Sequence, residues 1–188
     1  MCIRDRGIGP GGLNPKLLGR DSGFPFVFIP MGMTAENVAE KFKVTREDQD
    51  VFAKLSQDRA VAAQESGFFE REITPVTKED GTVVSKDDCP RAGTTLERLA
   101  ELPTAFKPEG GTVTAGNSCP LNDGAAAVLV MSRTKADQLG LKPLARIVAS
   151  AVSGNDPEIM GVAPIDAVPK ALAAANMKIC LLYTSRCV

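Results

Sequence analysis

Histidine is absent from this chain of 188 residues. No Cys–His or Ser–His catalytic pair can therefore form within these residues. No apolar run is long enough to span a bilayer, and no signal peptide is readable. The net charge is −1, so the chain shows no electrostatic footprint of a nucleic-acid-binding protein. The composition, with 44% hydrophobic and 24% charged residues, is that of an ordinary globular domain.

Cysteine is also sparse, with five residues in the chain. Three of them, Cys2, Cys180 and Cys187, fall in the two terminal segments discussed next. The remaining Cys89 and Cys119 do not make a disulfide framework in a domain of this size. A reducing, cytoplasmic setting is therefore predicted, and neither a metal site nor a bound cofactor is expected.

The two ends of the chain have an unusual relation at the level of DNA. The first five residues, MCIRD, can be encoded as ATG TGT ATA AGA GAC, and CLLYTS near the C-terminus as TGT CTC TTA TAC ACA TCT. These strings are reverse complements over most of their length, which is expected of a sequencing adapter translated at both edges of a genomic fragment. Residues 1–6 and 180–188 are therefore interpreted as non-native ends, with both natural termini missing.

The first part of the chain is predicted to contain helices and one hairpin. A helix is expected to start near Thr34, whose hydroxyl can cap the following N–H groups. A second helix starts at Thr45, with Asp48 completing a near capping box and Gly67 following its end. Residues 72–76 and 82–84 alternate as strands around an Asp-Gly turn. Residues 94–97 open a short helix.

The second part is predicted to alternate strands and helices as in an α/β layer. Residues 125–131 and 144–152 are apolar runs typical of strands that are covered on both faces. A helix capped by Ser132 follows the first run and ends at Gly140. A last helix covers residues 167–175, and Pro143 marks the expected domain junction.

Several motifs allow both a binding role and a purely structural one. Met31 could line an apolar slot, because thioethers adapt to irregular ligands, or it could be a core residue at a capped helix start. Arg91 and Arg98 could contact phosphate or simply solvate the short helix. Cys119 lies in a loop of small residues, where it could be a nucleophile; activation needs a base or a cationic setting, and a tight structural turn explains the loop as well.

Taken together and in this order, the motifs resemble those of the thiolase family. The resemblance covers nearly all of residues 7–179. It is carried by PMGMTAENVA at 30–39, TREDQD at 45–50, EITPV at 72–76, RAGTTL at 91–96, residues 112–127, and PEIMG at 157–161.

The resemblance implies a partial α/β thiolase fold. Residues 7–133 would form the C-terminal portion of the thiolase N-terminal domain, including the loop region that binds coenzyme A and the last strand of that half. Residues 142–179 would supply the first strand and helix of the C-terminal domain. The parent enzyme would be a homodimer or homotetramer.

The resemblance also implies acyl exchange between coenzyme A thioesters, as in fatty acid β-oxidation or the reverse condensation. Family members use a cysteine that is acylated, a histidine that activates it, and a second cysteine as acid and base. All three would lie outside this chain, so no residue present is predicted to be catalytic and the chain itself would be inactive. Pro30 favours the degradative type. The alternative is a thiolase-like protein that binds acyl-CoA or lipid without turnover.

Coenzyme A would be a substrate rather than a cofactor, and the resemblance places six residues around it. Met31 would touch the pantetheine or acyl part, and Ala115 would approach the pantetheine arm. Arg91 would lie near the nucleotide end, where Ala105 and Phe106 would form an apolar shelf. Cys119 stands where many members carry serine, and a thiol is a weaker donor.

Overall fold

The computed structural model describes residues 28–120 and 124–181. The regular structure of the described residues is mainly helical, with one small hairpin and several 3-10 turns. None of its helices is long and apolar enough to cross a membrane. The elements in chain order are α1 (Met31–Phe42), α2 (Arg46–Glu65), a 3-10 turn (Phe69–Arg71), β1 (Val76–Thr77), β2 (Val83–Val84), α3 (Leu96–Ala100), α4 (Arg133–Gln138), a 3-10 segment (Pro157–Val162), α5 (Ala163–Ala174) and a 3-10 turn (Ile179–Leu181).

Helix α2 has the two ends that its sequence predicts. The Thr45 hydroxyl accepts a hydrogen bond from the Asp48 N–H at 3.1 Å, and the Asp48 carboxylate accepts from the Thr45 N–H at 3.1 Å. The bonds from Thr45 lower the pKa of Asp48 below its ordinary value. At the other end, Gly67 adopts a φ of 71°, and the Phe68 N–H returns to the Ala63 carbonyl at 3.0 Å. This backbone arrangement is a Schellman motif.

Helix α1 begins three residues earlier than predicted, and Thr34 does not cap it. The helix starts at Met31, directly after Pro30. The Thr34 N–H donates to the Pro30 carbonyl at 3.2 Å, and the Thr34 hydroxyl donates to the Met31 carbonyl at 2.6 Å. Because its N–H already has a partner one turn back, Thr34 lies inside the first turn rather than before it. The helix ends at Phe42, and the next residue, Lys43, is left-handed at a φ of 58°.

The predicted hairpin is present, with shorter strands. Val76 pairs with Val84 and Thr77 with Val83 in antiparallel register. The turn contains Gly81 at a φ of 82°. The expected strand over residues 72–76 shrinks to its last residue and Thr77, because the chain ahead of it forms a local turn in which the Ile73 N–H bonds to the Phe69 carbonyl at 2.9 Å.

The other helix starts follow hydroxyl caps or a proline. Thr95 accepts from the Arg98 N–H to cap α3 within the predicted opening at residues 94–97. Ser132 accepts from the Lys135 N–H to cap α4, as predicted. Helix α5 begins four residues earlier than predicted, at Ala163, with a proline in its first turn where a missing N–H is tolerated. In this helix and at its C-cap, Ala171, Leu172 and Ala175 are half-buried, whereas Val168 is exposed.

The two predicted buried strands are wrong. Residues 124–132 and 145–156 contain neither helix nor strand, and the side chains of Val128 and Ile147 are 86% and 76% exposed. Across residues 28–120 and 124–181, β pairing is confined to the small hairpin and one bridge between Thr104 and Thr114. An apolar run becomes a buried strand only when neighbouring strands supply its ladder bonds, and the described residues supply none here.

The interior of the described chain is as polar as it is apolar. Its buried apolar residues are Ala39, Leu99, Val113 and Ala136, and its buried polar residues are Thr34, Glu36, Asp50 and Thr114. Helix α1 packs on the 3-10 segment at 157–162, where the Asn37 amide donates to the Glu158 carbonyl at 3.0 Å. Helix α2 packs on α3. The predicted non-native ends, residues 1–6 and 180–188, lie outside the described residues except for Cys180 and Leu181.

Candidate functional site

A buried carboxylate of α1 holds the loop that follows α3. Glu36 is 4% exposed. Its two oxygens accept from the Thr112 N–H, the Thr112 hydroxyl and the Val113 N–H, all at 2.9 Å. A carboxylate that accepts this many bonds from a single stretch of backbone fixes both the position and the orientation of that stretch.

The side-chain amide of Asn117 closes the same loop on itself. The Asn117 side-chain oxygen accepts from the Thr114 N–H at 2.7 Å, and its nitrogen donates to the Thr112 carbonyl at 2.9 Å. The same nitrogen donates to Asp50 on α2 at 3.0 Å. Thr114 is fully buried inside this turn. Glu36, Asn117 and Asp50 therefore join α1, α2 and the loop into one polar framework.

An arginine completes the framework on the side of α3. The Arg46 Nε donates to Asp50 at 2.8 Å. Its Nη2 donates to the Leu99 carbonyl at 2.6 Å and to the Leu102 carbonyl at 3.2 Å. Those carbonyls lie at the C-terminal end of α3, where backbone acceptors lack helical partners. Arg46 thus fixes α3 to α2 with a cation placed at the negative end of a helix.

The framework places an exposed apolar surface beside the start of α1. Thr104 bridges to Thr114, and the Ala105 N–H donates to the Val113 carbonyl at 2.8 Å. Phe106 follows, and its ring lies so close to Gly32 that a Cβ at that position would overlap it. Met31 and Phe106 are 40% and 42% exposed. We call the exposed residues Met31, Ala105, Phe106 and Ala115 the loop shelf.

The two other sequence-predicted residues lie beside the loop shelf or on a different element. Cys119 is exposed and follows Ser118, whose hydroxyl donates to the Thr114 carbonyl. Arg91 is exposed, and its N–H donates to the Gln57 side chain of α2 at 2.8 Å. The contacts above join Met31 to Phe106 through Gly32, whereas the backbone of Arg91 is positioned by α2.

Sequence reasoning missed the framework residues as functional candidates. Glu36, Asp50 and Asn117 entered only as letters of longer motifs. Glu36 lies three positions before Ala39, and residues three apart are neighbours on a helix surface. A charged residue next to an apolar one at this spacing is one signal of a buried and partnered group. The partner itself, 76 residues away, carries no such signal.

Two other groups of polar side chains are explained by local structure. A cleft of about 200 Å³ lies between α1 and residues 107–112. Its two carboxylates already have partners. Glu36 accepts from the backbone of residues 112–113, and Glu40 pairs with Lys107 at 3.2 Å. A carboxylate oxygen of Asp87, one of Asp88 and the Cys89 Sγ, which are atoms able to bind a metal ion, lie within 4.8 Å of one another. Asp87 accepts from the Cys89 N–H at 3.0 Å, so a local turn brings these residues together.

Known proteins share both the sequence and the fold of this chain. A family model described as "Thiolase, N-terminal domain" matches residues 25–134. An acetyl-CoA acetyltransferase of Pseudomonas aeruginosa is 53% identical over 150 residues, which are 78% of this chain and 38% of that protein.

Two solved structures extend the comparison. The dimeric peroxisomal thiolase of Saccharomyces cerevisiae matches with a TM-score of 0.85 at 39% identity, covering 94% of this chain and 45% of that one. Human mitochondrial 3-ketoacyl-CoA thiolase in complex with CoA matches with a TM-score of 0.73 at 44% identity, covering 79% and 37%. The chain therefore spans less than half the length of these relatives.

Proposed function

Because the chain belongs to the thiolase family, we propose that it is part of an acyltransferase that exchanges acyl groups between coenzyme A thioesters. The reaction would be thiolysis of a 3-ketoacyl-CoA or the reverse condensation, through an acylated cysteine. The names of the relatives, acetyl-CoA acetyltransferase and 3-ketoacyl-CoA thiolase, support this reaction class. Acyl-CoA and coenzyme A are its substrates, and the whole protein is proposed to be a cytoplasmic homodimer or homotetramer.

The observation that carries the proposal is the loop shelf on its rigid framework. A ligand as long and flexible as coenzyme A needs an exposed apolar surface whose backbone does not move on binding. In our proposal, Met31 contacts the pantetheine or acyl part and Ala115 approaches the pantetheine arm. Ala105 and Phe106 lie under the nucleotide end. A relative whose structure holds CoA has the same fold.

We place the chemistry itself outside this chain. The chain contains no histidine, and the family mechanism needs one to activate the nucleophilic cysteine. Cys119 is exposed and follows Ser118, whose hydroxyl bonds to the Thr114 carbonyl. The proposed role of Cys119 is a contact with the pantetheine, in the place where many family members carry serine.

The test is coenzyme A-dependent cleavage of acetoacetyl-CoA and of a longer 3-ketoacyl-CoA. The cleavage is monitored as the loss of absorbance of the magnesium enolate of the substrate. The whole protein that contains these residues should turn over, and the 188-residue chain alone should not. Cys119→Ser in the whole protein should keep its kcat. Binding of coenzyme A without turnover by the whole protein would instead support a non-catalytic carrier, and loss of kcat in Cys119→Ser would make Cys119 the nucleophile.

Arg91→Ala in the whole protein is expected to raise the KM for coenzyme A about three- to thirtyfold with little change in kcat. A charge-assisted hydrogen bond to phosphate is worth about 1.5–3 kcal/mol, and exposure of Arg91 reduces it. Arg133→Ala is the matched control, because Arg133 is also exposed and pairs with Asp137 on its own helix. An equal rise in KM in both variants would remove Arg91 from the site.

A further inference from the structure

Glu36 is bound differently from the ion-paired acidic residues of α2. Asp50 and Asp58 each pair with a cation on their own helix. Within residues 28–120 and 124–181, Glu36 has no Lys or Arg partner, and its oxygens are filled by the N–H and O–H groups of Thr112 and Val113. Burial of a carboxylate without a cation is costly unless these donors compensate it. Such an arrangement defines geometry more strictly than an ion pair would.

The contacts of Glu36 form a closed circuit that returns to α1. Glu36 holds the Val113 N–H, and the Val113 carbonyl accepts from the Ala105 N–H at 2.8 Å. Ala105 is followed by Phe106, whose ring packs on Gly32. Gly32 lies one turn before Glu36 on the same helix. A displacement of the 112–113 backbone at Glu36 is therefore transmitted to Ala105 and to the ring of Phe106.

We infer that Glu36 is a positioning residue for the nucleotide end of coenzyme A, acting through residues 112–113 on Ala105 and Phe106. This inference rests on the proposed function, because it needs the loop shelf to be the coenzyme A surface. Glu36 does not touch the ligand. It sets the position of Ala105 and of the Phe106 ring, so its removal changes binding of the nucleotide portion and leaves the chemical step unchanged.

Glu40 provides a matched control on the same helix and the same loop. It lies one turn beyond Glu36, and its carboxylate pairs with Lys107 at 3.2 Å. Its side chain is 70% exposed, so the pair is screened by solvent and contributes little. The Glu→Gln change is identical in size and charge at both positions. The two variants differ in whether the carboxylate holds loop backbone.

The experiment compares Glu36→Gln and Glu40→Gln in the whole protein, with coenzyme A or pantetheine as the acceptor thiol in thiolysis. Gln keeps one acceptor oxygen for the two loop N–H groups, but its NH₂ group lies where the second Glu36 oxygen accepts from Thr112. The charge that strengthens the remaining bonds is also lost. We expect Glu36→Gln to raise the KM for coenzyme A about five- to thirtyfold. Its kcat and its KM for pantetheine, which lacks the nucleotide, should stay within about twofold, as should all constants of Glu40→Gln.

The outcomes separate this inference from the proposed function. A merely structural role would lower the melting temperature and kcat of Glu36→Gln with the KM for coenzyme A unchanged, and that result would overturn the inference alone. Equal rises in the KM of coenzyme A and pantetheine would also overturn it. A wild-type protein with no coenzyme A-dependent activity or binding would overturn the proposed function and this inference with it.

Thr112→Val keeps the test decisive if Glu36→Gln does not fold. Valine replaces the hydroxyl that donates to Glu36 at 2.9 Å and leaves both backbone N–H bonds in place. The expected rise in the KM for coenzyme A is then smaller, about two- to fivefold. A folded Thr112→Val protein with the wild-type KM for coenzyme A would overturn the inference, because binding would then not respond to a weakened contact between Glu36 and residue 112.

Discussion

Replacing Asp50 by alanine is expected to lower the free energy of local opening of residues 96–117 by about 2–4 kcal/mol. Asp50 is 4% exposed and receives bonds from Arg46 at 2.8 Å and from Asn117 at 3.0 Å. Alanine leaves the Arg46 charge partly buried without its carboxylate and removes one bond from the Asn117 amide. The measurement is amide hydrogen exchange in the whole protein, followed in the peptides that cover residues 96–117.

Asp58→Ala is the control for that prediction. Asp58 lies on the same helix and also pairs with a cation four residues away, Lys54, at 2.6 Å. The side chains of that pair are 36% and 52% exposed, so its loss should change opening by about 0–0.5 kcal/mol. Equal effects of the two changes would mean that the Arg46–Asp50 pair acts as an ordinary surface pair and that the framework is held by other contacts.

The helix ends were the part of the fold that the sequence predicted best. Thr45, Thr95 and Ser132 each cap the helix that follows them, and Gly67 closes α2. Capping depends on residues within one turn of each other, so the necessary information is local. The start of α1 was misplaced because a hydroxyl inside the first turn has the same sequence pattern as a cap.

The predicted strands over residues 125–131 and 144–152 failed for a different reason. An apolar run encodes a preference for burial, but the ladder bonds that make a strand come from other segments. The α/β class and the partial thiolase fold are nevertheless confirmed by the similarity to the Saccharomyces cerevisiae thiolase, at a TM-score of 0.85. The domain boundaries, residues 7–133 and 142–179, stay a prediction.

The resemblance supplies the members of the candidate site, whose roles stay a prediction, and the contacts that hold them together could not be predicted. Resemblance named Met31, Ala105 and Phe106, and the structure brings Phe106 onto Gly32 beside Met31. Nothing in the spacing of these residues shows that contact, because it spans α1, α2, the hairpin and α3. The buried carboxylates that hold the loop are likewise specified by long-range partners.

Gly32→Ala is expected to weaken coenzyme A binding and to lower the free energy of local opening of residues 104–113. The reason is that the new methyl group overlaps the ring of Phe106. Overpacking of this kind costs about 1–3 kcal/mol. Within a helix, alanine is otherwise favoured over glycine by about 1 kcal/mol, so a net loss can come only from the clash. Amide hydrogen exchange in the whole protein and the KM for coenzyme A measure the two effects.

In a protein that already carries Phe106→Ala, the effect of Gly32→Ala on stability is expected to change sign. Without the ring, the methyl group added by Gly32→Ala meets no obstacle, and the change should then stabilise α1 as the helix propensity of alanine predicts. The double-mutant cycle therefore isolates the contact between Gly32 and Phe106. Gly154→Ala is the control for the added methyl group, since among residues 28–120 and 124–181 no heavy atom beyond its chain neighbours lies within 4 Å of its Cβ position. If Gly32→Ala is equally harmful with and without Phe106, the ring does not rest on α1 in solution, and the loop shelf must be positioned by the framework carboxylates alone.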